Sequence, residues 1–249
     1  MKPREVVNAI YGLGKFYFKE EKGQVVGVLS AHVRKHQSEY SLDQLAQVIS
    51  SLARVGLPNA PLLTSMIASI TRTTIQTCSS QSLVNLMVAF SRFGVRPNRK
   101  VIVWEILAEE LNQRLSQLSL DDAVAGLLAY SISHLGAPHV ELFRSVSRLL
   151  NEETSPKCIT KYLRGCARAQ YRDIEALTVC ASVLRREEDS IDEEVLKEII
   201  SNFDHLGIDF FVKSQIPNSL SAAPWFAKRV LPSKTVKPVR SLRRRKWTW

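Results

Sequence analysis

The sequence predicts an all-α fold, an α-α superhelical solenoid of about five helix pairs followed by an extended basic C-terminal tail. Three observations predict it. Similar helical segments recur about every 38 to 40 residues in a chain of 249 residues. The clearest of them begin with a serine and end with a glycine, and hairpin signals or alternating strand patterns are nearly absent. Repeats of this period indicate stacked helical units, because one helix pair cannot bury its apolar face without neighbours.

The three clearest copies span residues 41–56, 79–94 and 119–136. Each is built as a helix, since a serine is a favoured N-cap and a glycine tolerates the left-handed conformation that follows a helix. These cap residues are Ser41, Ser79, Ser119, Gly56, Gly94 and Gly136. In the first of the three, one apolar stripe follows the 3.6-residue helical period, formed by Leu45, Val48, Ile49, Leu52 and Val55.

Weaker copies flank these three, at residues 5–17 and 157–170. Small residues beside the apolar stripes should let neighbouring helices approach closely. They are Gly12, Gly14, Ser51, Ala53, Ala89, Ser91, Ala129, Gly165 and Ala167.

Partner helices are expected between the copies. Their predicted ranges are 23–37, 61–74, 99–115, 140–152 and 174–186, with a further helix at 192–205. Pro61 suits a first helical turn, and Pro58, Pro97 and Pro138 suit the short turns that precede partner helices. The pattern ends after Gly207, and Phe210, Phe211 and Ile216 are expected to cover the apolar edge of the last repeat.

The ends of two copies, LARVG (52–56) and FSRFG (90–94), share the order apolar, small, cationic, apolar, glycine. This string resembles organellar helical-repeat families with units of about 37–40 residues, namely the octotricopeptide, heptatricopeptide and FAST-kinase-like repeats. The resemblance covers residues 3–190. It implies a superhelix of paired helices that binds organellar RNA or assembles into mitochondrial or plastid ribonucleoproteins.

The excess of positive over negative charge is confined to the end of the chain. Residues 213–249 contain ten Lys or Arg and no Asp or Glu, so the other residues contain 24 of each sign and the formal net charge is +10. We therefore predict two domains, a helical-repeat domain over 1–212 and an extended basic tail over 213–249. A cationic segment on a neutral body is typical of a protein that binds a polyanion, above all nucleic acid.

The tail supplies most of the predicted RNA-binding residues. They are Lys228, Arg229, Lys234, Lys237, Arg240, Arg243, Arg244, Arg245, Lys246, Trp247 and Trp249. Arginine can bridge phosphates, and tryptophan can stack on an unpaired base. The tail is similar to the basic extensions of ribosomal proteins. A nuclear-localisation cluster or a membrane-surface anchor are the alternative interpretations, since Trp also favours lipid interfaces.

A cation recurs at one repeat position in the body, as Lys15, Arg54, Arg92 and Arg168, with His134 close to it in the third clear copy. Stacked repeats would align these side chains into a track for phosphates. The alternative is a structural role, because a cation in the last helical turn also complements the helix dipole.

The sequence favours no enzyme chemistry, and we predict no catalytic residue, no metal site and no cofactor. His32 and His36 lie four residues apart but without the Glu of an HExxH motif, and the acidic residues 187–194 lack the spacing of a calcium loop. Cys78, Cys158, Cys166 and Cys180 are expected to be buried free thiols, as in a reducing compartment. A disulfide or metal cluster is the alternative, which their spacing does not favour.

Together these observations predict an RNA-associated structural protein, a mitochondrial ribosome component that docks through its repeats and threads rRNA with its tail. Two alternatives stay open: a protein–protein scaffold of a mitochondrial complex without RNA, and a soluble organellar RNA-stability factor. The charge balance of the body favours docking over reading of bases. The expected location is the mitochondrial matrix, although no presequence is visible, and no segment reaches the length of a membrane span. The expected partners are rRNA and the neighbouring proteins of the ribonucleoprotein.

Overall fold

The computed structural model describes residues 2–16, 24–96, 102–133, 139–187 and 191–207. Within these ranges the chain forms twelve α-helices and no strand, which confirms the all-α prediction. The predicted covering residues after Gly207, the turn prolines Pro97 and Pro138, and the whole basic tail lie outside the described residues.

Five helices correspond to the recurring segments, and the further helix predicted over 192–205 packs against the last of them. We call these six the repeat helices. They are α1 (Pro3–Lys15), α3 (Leu42–Val55), α6 (Ser80–Arg92), α8 (Leu120–Ser133), α10 (Pro156–Ala169) and α12 (Glu193–His205). The others are the partner helices. They are α2 (Gln24–Lys35), α4 (Ala60–Ser69), α5 (Arg72–Ile75), α7 (Val103–Gln113), α9 (Val140–Ser147) and α11 (Ile174–Arg186).

The predicted helix caps are confirmed wherever the structure describes them. The Ser41 hydroxyl accepts from the backbone N–H of Gln44 at 3.2 Å, and the Ser79 and Ser119 hydroxyls accept in the same way. Gly56 and Gly94 have left-handed φ angles of 74° and 69°. Gly136 lies outside the described residues.

The cap of α10 was not predicted from the sequence. Ser155 caps α10, and Pro156 occupies its first turn. This helix therefore begins one residue before the predicted copy, and its serine aligns with the serines of the clearer copies. At the other end Gln170 adopts the left-handed conformation that glycine occupies after α3, with a φ angle of 53°.

Four partner helices differ from their predicted ranges. Two of them, predicted over 23–37 and 99–115, are shorter, at Gln24–Lys35 and Val103–Gln113. The single helix predicted over 61–74 is divided at Ile70, and Thr71 starts α5 by accepting from the backbone N–H of Thr74 at 3.1 Å. The helix predicted over 140–152 ends at Ser147. Further along the chain Asn151 and Thr154 form a local turn, in which the Asn151 N–H donates to the Thr154 hydroxyl at 3.0 Å.

The repeat helices pack one against the next in chain order, from α1 through α3, α6, α8 and α10 to α12. The predicted apolar stripe of α3 is buried, with every one of its five residues at most 4% exposed. The core also contains large side chains that are fully buried, among them Trp104, Phe90, Phe143 and Tyr162. The Trp104 indole N–H donates to the Val95 carbonyl at 3.0 Å, which satisfies its one polar group.

Neighbouring repeat helices lie with the same ends together. At the N-terminal end, the Asp43 carboxylate of α3 accepts from the backbone N–H and the hydroxyl of Ser79, both at 2.9 Å. At the C-terminal end, a Cβ on Gly14 would lie 2.8 Å from the Cβ of Ser51. The predicted close approach of small residues is therefore confirmed at this crossing, whereas Gly12 has no atom within 4 Å of such a Cβ.

Candidate nucleic-acid interface

The capping residues give the six repeat helices a common numbering, counted from each N-cap. Position 13, the thirteenth residue after the cap, holds a cation in four of the six helices and a histidine in a fifth. These residues are Lys15, Arg54, Arg92, Arg168 and His205, after the caps Lys2, Ser41, Ser79, Ser155 and Asp192. All five are exposed. The shared caps place the predicted cations at one structural position.

Position 13 lies opposite the buried stripe. In α3 the stripe residues Leu45 and Leu52 are 4% and 1% exposed, whereas Arg54 is exposed. A helix turns by about 100° per residue, so positions 2, 6, 9 and 13 share the side away from the stripe. We call this side the outer face of a repeat helix.

The exposed cations lie at the C-terminal ends of consecutive repeat helices, and neighbouring helices have the same ends together. The cations of neighbouring helices therefore lie side by side, and we call them the cation row. Packed helix axes are about 8–10 Å apart, so neighbouring position-13 side chains are within reach of successive phosphates of one strand. Among the described residues, no carboxylate lies within 4 Å of the charged groups of Lys15, Arg54 or Arg92. Their charges are therefore available to a ligand.

Arg168 has an acidic neighbour. Glu198 of α12 pairs with Arg164 of α10, whose hydrogen bond holds the pKa of that carboxyl below its ordinary value. Burial opposes this shift, and Arg168 adds a smaller lowering effect. The negative charge of Glu198 therefore reduces the positive potential at this end of the row.

The cation is missing from the third clear copy. Position 13 of α8 is Ile132, which is 38% exposed, and His134 lies outside the described residues. The sequence comparison aligned the cations by their terminal glycines, and two extra residues before Gly136 shift that alignment. Alignment by the N-cap serines would have placed Ile132 correctly.

Position 6 of the first three repeat helices carries a side-chain amide, which the sequence comparison did not single out. The residues are Asn8, Gln47 and Asn85. Within the described part of the chain, none of the three amides has a hydrogen-bond partner on the protein. Asn8 is exposed and the other two are half-buried, and Tyr11 at position 9 of α1 is 37% exposed. The outer face of α1, α3 and α6 thus combines cations with groups that can bond to base edges.

The structure also describes the histidine pair that the sequence analysis considered as a metal site. The His32 and His36 rings lie 4.6 Å apart, and His36 Nδ1 is 2.8 Å from a Glu39 carboxylate oxygen. No group of three or more His, Cys, Asp or Glu in the described ranges is placed to hold a metal ion. None of the helices that the structure describes is long and apolar enough to cross a bilayer.

The four cysteines are buried free thiols, as predicted. Burial raises the pKa of the Cys78 and Cys158 thiols to about 11 and that of Cys166 to about 12. The pKa of Cys180 is raised for the same reason. A nucleophilic cysteine needs a lowered pKa and access to solvent, so these thiols have the properties of packing residues.

The tail residues predicted to bind RNA, from Lys228 to Trp249, lie outside the described residues. In comparisons with known proteins, the chain matches no protein-family model and no curated protein is significantly similar to it.

Proposed function

We propose that this protein is an RNA-associated structural protein, a component of the mitochondrial ribosome in the matrix. In this proposal the body is a superhelical solenoid of about five helix pairs that docks on the particle, and the basic tail threads rRNA. The observation that carries it is the exposed row of Lys15, Arg54 and Arg92, which lies at one end of consecutive repeat helices without acidic partners among the described residues. The charge of residues 213–249, all of one sign, adds a second polyanion-binding element.

The ordered contacts from α1 to α12 support the solenoid, because each repeat helix packs mainly against the repeat helices that precede and follow it. Neighbouring repeat helices lie side by side with the same ends together, and this supports a phosphate track along α1, α3 and α6 rather than scattered surface charges. The body as a whole is charge-balanced, so its contribution to RNA binding should be smaller than that of the tail. The resemblance to organellar repeat families is the reason for choosing the mitochondrion.

The test compares RNA binding by the full chain with binding by a chain lacking residues 228–249. Fluorescence anisotropy with a labelled structured rRNA fragment and a labelled single strand should show that the deletion removes most of the affinity. Binding of the full chain should weaken steeply with salt, because each neutralised phosphate releases counterions. Replacing Arg243, Arg244 and Arg245 together by Ala should reduce the salt slope by about two to three units.

The contribution of Lys15, Arg54 and Arg92 to RNA binding can be tested with a matched control. The variant Lys15→Ala/Arg54→Ala/Arg92→Ala should reduce the salt slope for a single strand by about two units, at roughly 0.7 per phosphate contact. The variant Arg34→Ala/Lys35→Ala/Arg148→Ala removes the same charge from exposed residues outside the row and should leave the slope nearly unchanged. Equal effects of the two variants would refute the track. If the full chain binds neither RNA at low salt, the scaffold alternative is the better account.

A further inference from the structure

The outer face of α8 differs in chemistry from the outer faces of the helices that precede it. Positions 6, 9 and 13 are Ala125, Leu128 and Ile132, all aliphatic, whereas α3 has Gln47, Ser50 and Arg54 there. Val88, at position 9 of the adjacent α6, extends this surface. Ile132 is 38% exposed and the other three are half-buried. We call these four residues, Val88, Ala125, Leu128 and Ile132, the apolar patch.

Cations flank the apolar patch on both sides. Arg92 follows it on α6, and Arg168 lies on α10, each at position 13 beside Ile132 and each exposed. Asp121, at the other end of α8, is bound by Lys161 with an Nζ–Oδ1 distance of 3.4 Å. Glu198 reduces the positive potential at Arg168, so Arg92 is the stronger cation of the two. The patch is therefore an aliphatic surface with a cationic rim.

The positive charge of Arg92 and Arg168 favours one kind of ligand for the apolar patch over others. The chain's own tail has ten cations and no acid, so Arg92 and Arg168 would repel it. An RNA strand would satisfy the rim, but aliphatic side chains offer neither a ring for base stacking nor a hydrogen bond to a base edge. An acidic protein segment with apolar anchors satisfies both parts of the surface.

We propose that the apolar patch is the docking site for an acidic amphipathic helix of a neighbouring protein. The aliphatic residues of this partner helix, spaced three and four apart, cover Ile132 and Leu128, and the carboxylates of the partner helix face Arg92 and Arg168. This rests on the docking role proposed for the body, since it names the kind of partner that the body docks on. It does not depend on RNA binding by the tail.

The first measurement uses the full chain and a defined probe, an 18-residue helical peptide with Leu on one face and Glu on both flanks. Ile132→Glu should weaken its binding roughly tenfold or more, because the exchange loses aliphatic burial and adds like-charge repulsion. Ile132→Ala should show a smaller loss in the same direction. Ile174→Glu is the matched control, since Ile174 is 65% exposed on α11, and should bind the peptide as the unaltered chain does. Non-specific attraction to the tail is equal in all of these chains.

Charge is tested separately. Arg92→Glu and Arg168→Glu should each weaken binding of the Glu peptide, while a peptide of the same length with Lys in place of Glu should not bind the unaltered chain at the patch. Thermal unfolding of each variant shows whether it is folded. Equal binding by the Ile132→Glu and Ile174→Glu chains would overturn the proposal, as would preference for the Lys peptide.

The second measurement places a photo-crosslinking benzoylphenylalanine at residue 132 in cells. A crosslink to a protein segment in which apolar residues alternate with Asp or Glu at helical spacing is the expected result. Crosslinks to RNA, to the chain's own tail or to a non-acidic segment would each overturn the proposal. Failure here is distinguishable from failure of the proposed function, because Ile132→Ala changes no charge and should leave RNA affinity unchanged, and that affinity is measured independently.

Discussion

Two arginine–glutamate pairs of the body differ in burial, one at the C-terminal end of α7 and one between α10 and α12. Arg114 pairs with Glu110 at 2.5 Å, and their side chains are 12% and 9% exposed. Arg164 pairs with Glu198, with Nη2 2.6 Å from Oε2, and their side chains are 41% and 33% exposed. The chemistry is the same, but the environments differ.

Burial changes what each pair does. Arg114 also donates to the backbone carbonyls of Ile75 and Cys78, and so ties the end of α7 to the turn before α6. Removing it would leave the Glu110 carboxylate and the Cys78 carbonyl without their arginine partner in a region with little water, whereas the Ile75 carbonyl would still accept from the Cys78 N–H. Arg164 connects α10 to α12 at the surface, where water can replace either partner. We therefore expect the contribution of each pair to stability to depend on its surroundings more than on its charges.

The largest effect is expected from breaking the buried pair. Arg114→Ala should lower the free energy of unfolding by about 3–5 kcal/mol, because Glu110 remains buried without a counter-charge. Urea unfolding followed by circular dichroism measures this loss. The double variant Arg114→Met/Glu110→Gln removes both charges and should recover a large part of the stability. A loss below about 1 kcal/mol for Arg114→Ala would show that the buried pair behaves as a surface pair.

An uncharged contact between repeats should have an intermediate effect. Gly14→Ala places a methyl group 2.8 Å from the Cβ and 2.9 Å from the Cα of Ser51, so α1 and α3 must separate. The expected loss is about 1–3 kcal/mol, as for other overpacked cores. Gly12→Ala on the same helix meets no atom within 4 Å and should instead gain about 0.5–1 kcal/mol. Thermal melts of the two variants should therefore shift in opposite directions.

The smallest effect is expected at the surface pair. Arg164→Ala should cost at most about 1 kcal/mol, and the cost should shrink in high salt. The folded-state pKa of Glu198 is lowered mainly by its bond to Arg164, so its contribution is present above its ordinary pKa of 4.5. That contribution is lost as the pH falls through the lower folded value. Stability of the two chains measured from pH 7 to pH 3 should converge, and a difference that stays constant would contradict this assignment.

Much of the fold could be predicted because its signals are local. Helix period, serine caps and terminal glycines depend on neighbouring residues, and they located the repeat helices that begin at Ser41, Ser79 and Ser119. The break at Ile70 depended on competition between a continuous helix and the Thr71 cap, which periodicity does not reveal. The pair of Arg114 with Glu110 has helical spacing, but only the tertiary fold buries it.

The candidate interface was predictable only in part. The recurring cation was visible in the sequence, and the structure adds its exposure opposite the apolar stripe. The apolar exception at Ile132 was missed because the insertion before Gly136 shifted the glycine-based alignment. The amides of Asn8, Gln47 and Asn85 were missed because an amide carries no signal until the caps give each helix a common numbering.

The buried cysteines give this molecule its own reporters of local opening. Cys78 precedes α6, whereas Cys166 and Cys180 lie on α10 and α11, and all three are at most 4% exposed. A thiol reacts with an alkylating reagent only after exposure and ionisation, so each labelling rate measures how often its own region unfolds. In an array of neighbour contacts, opening can begin at one end and spread. Equal labelling rates at Cys78 and Cys180 would indicate concerted unfolding, whereas faster labelling at Cys180 would indicate that opening begins near the C-terminal end of the body.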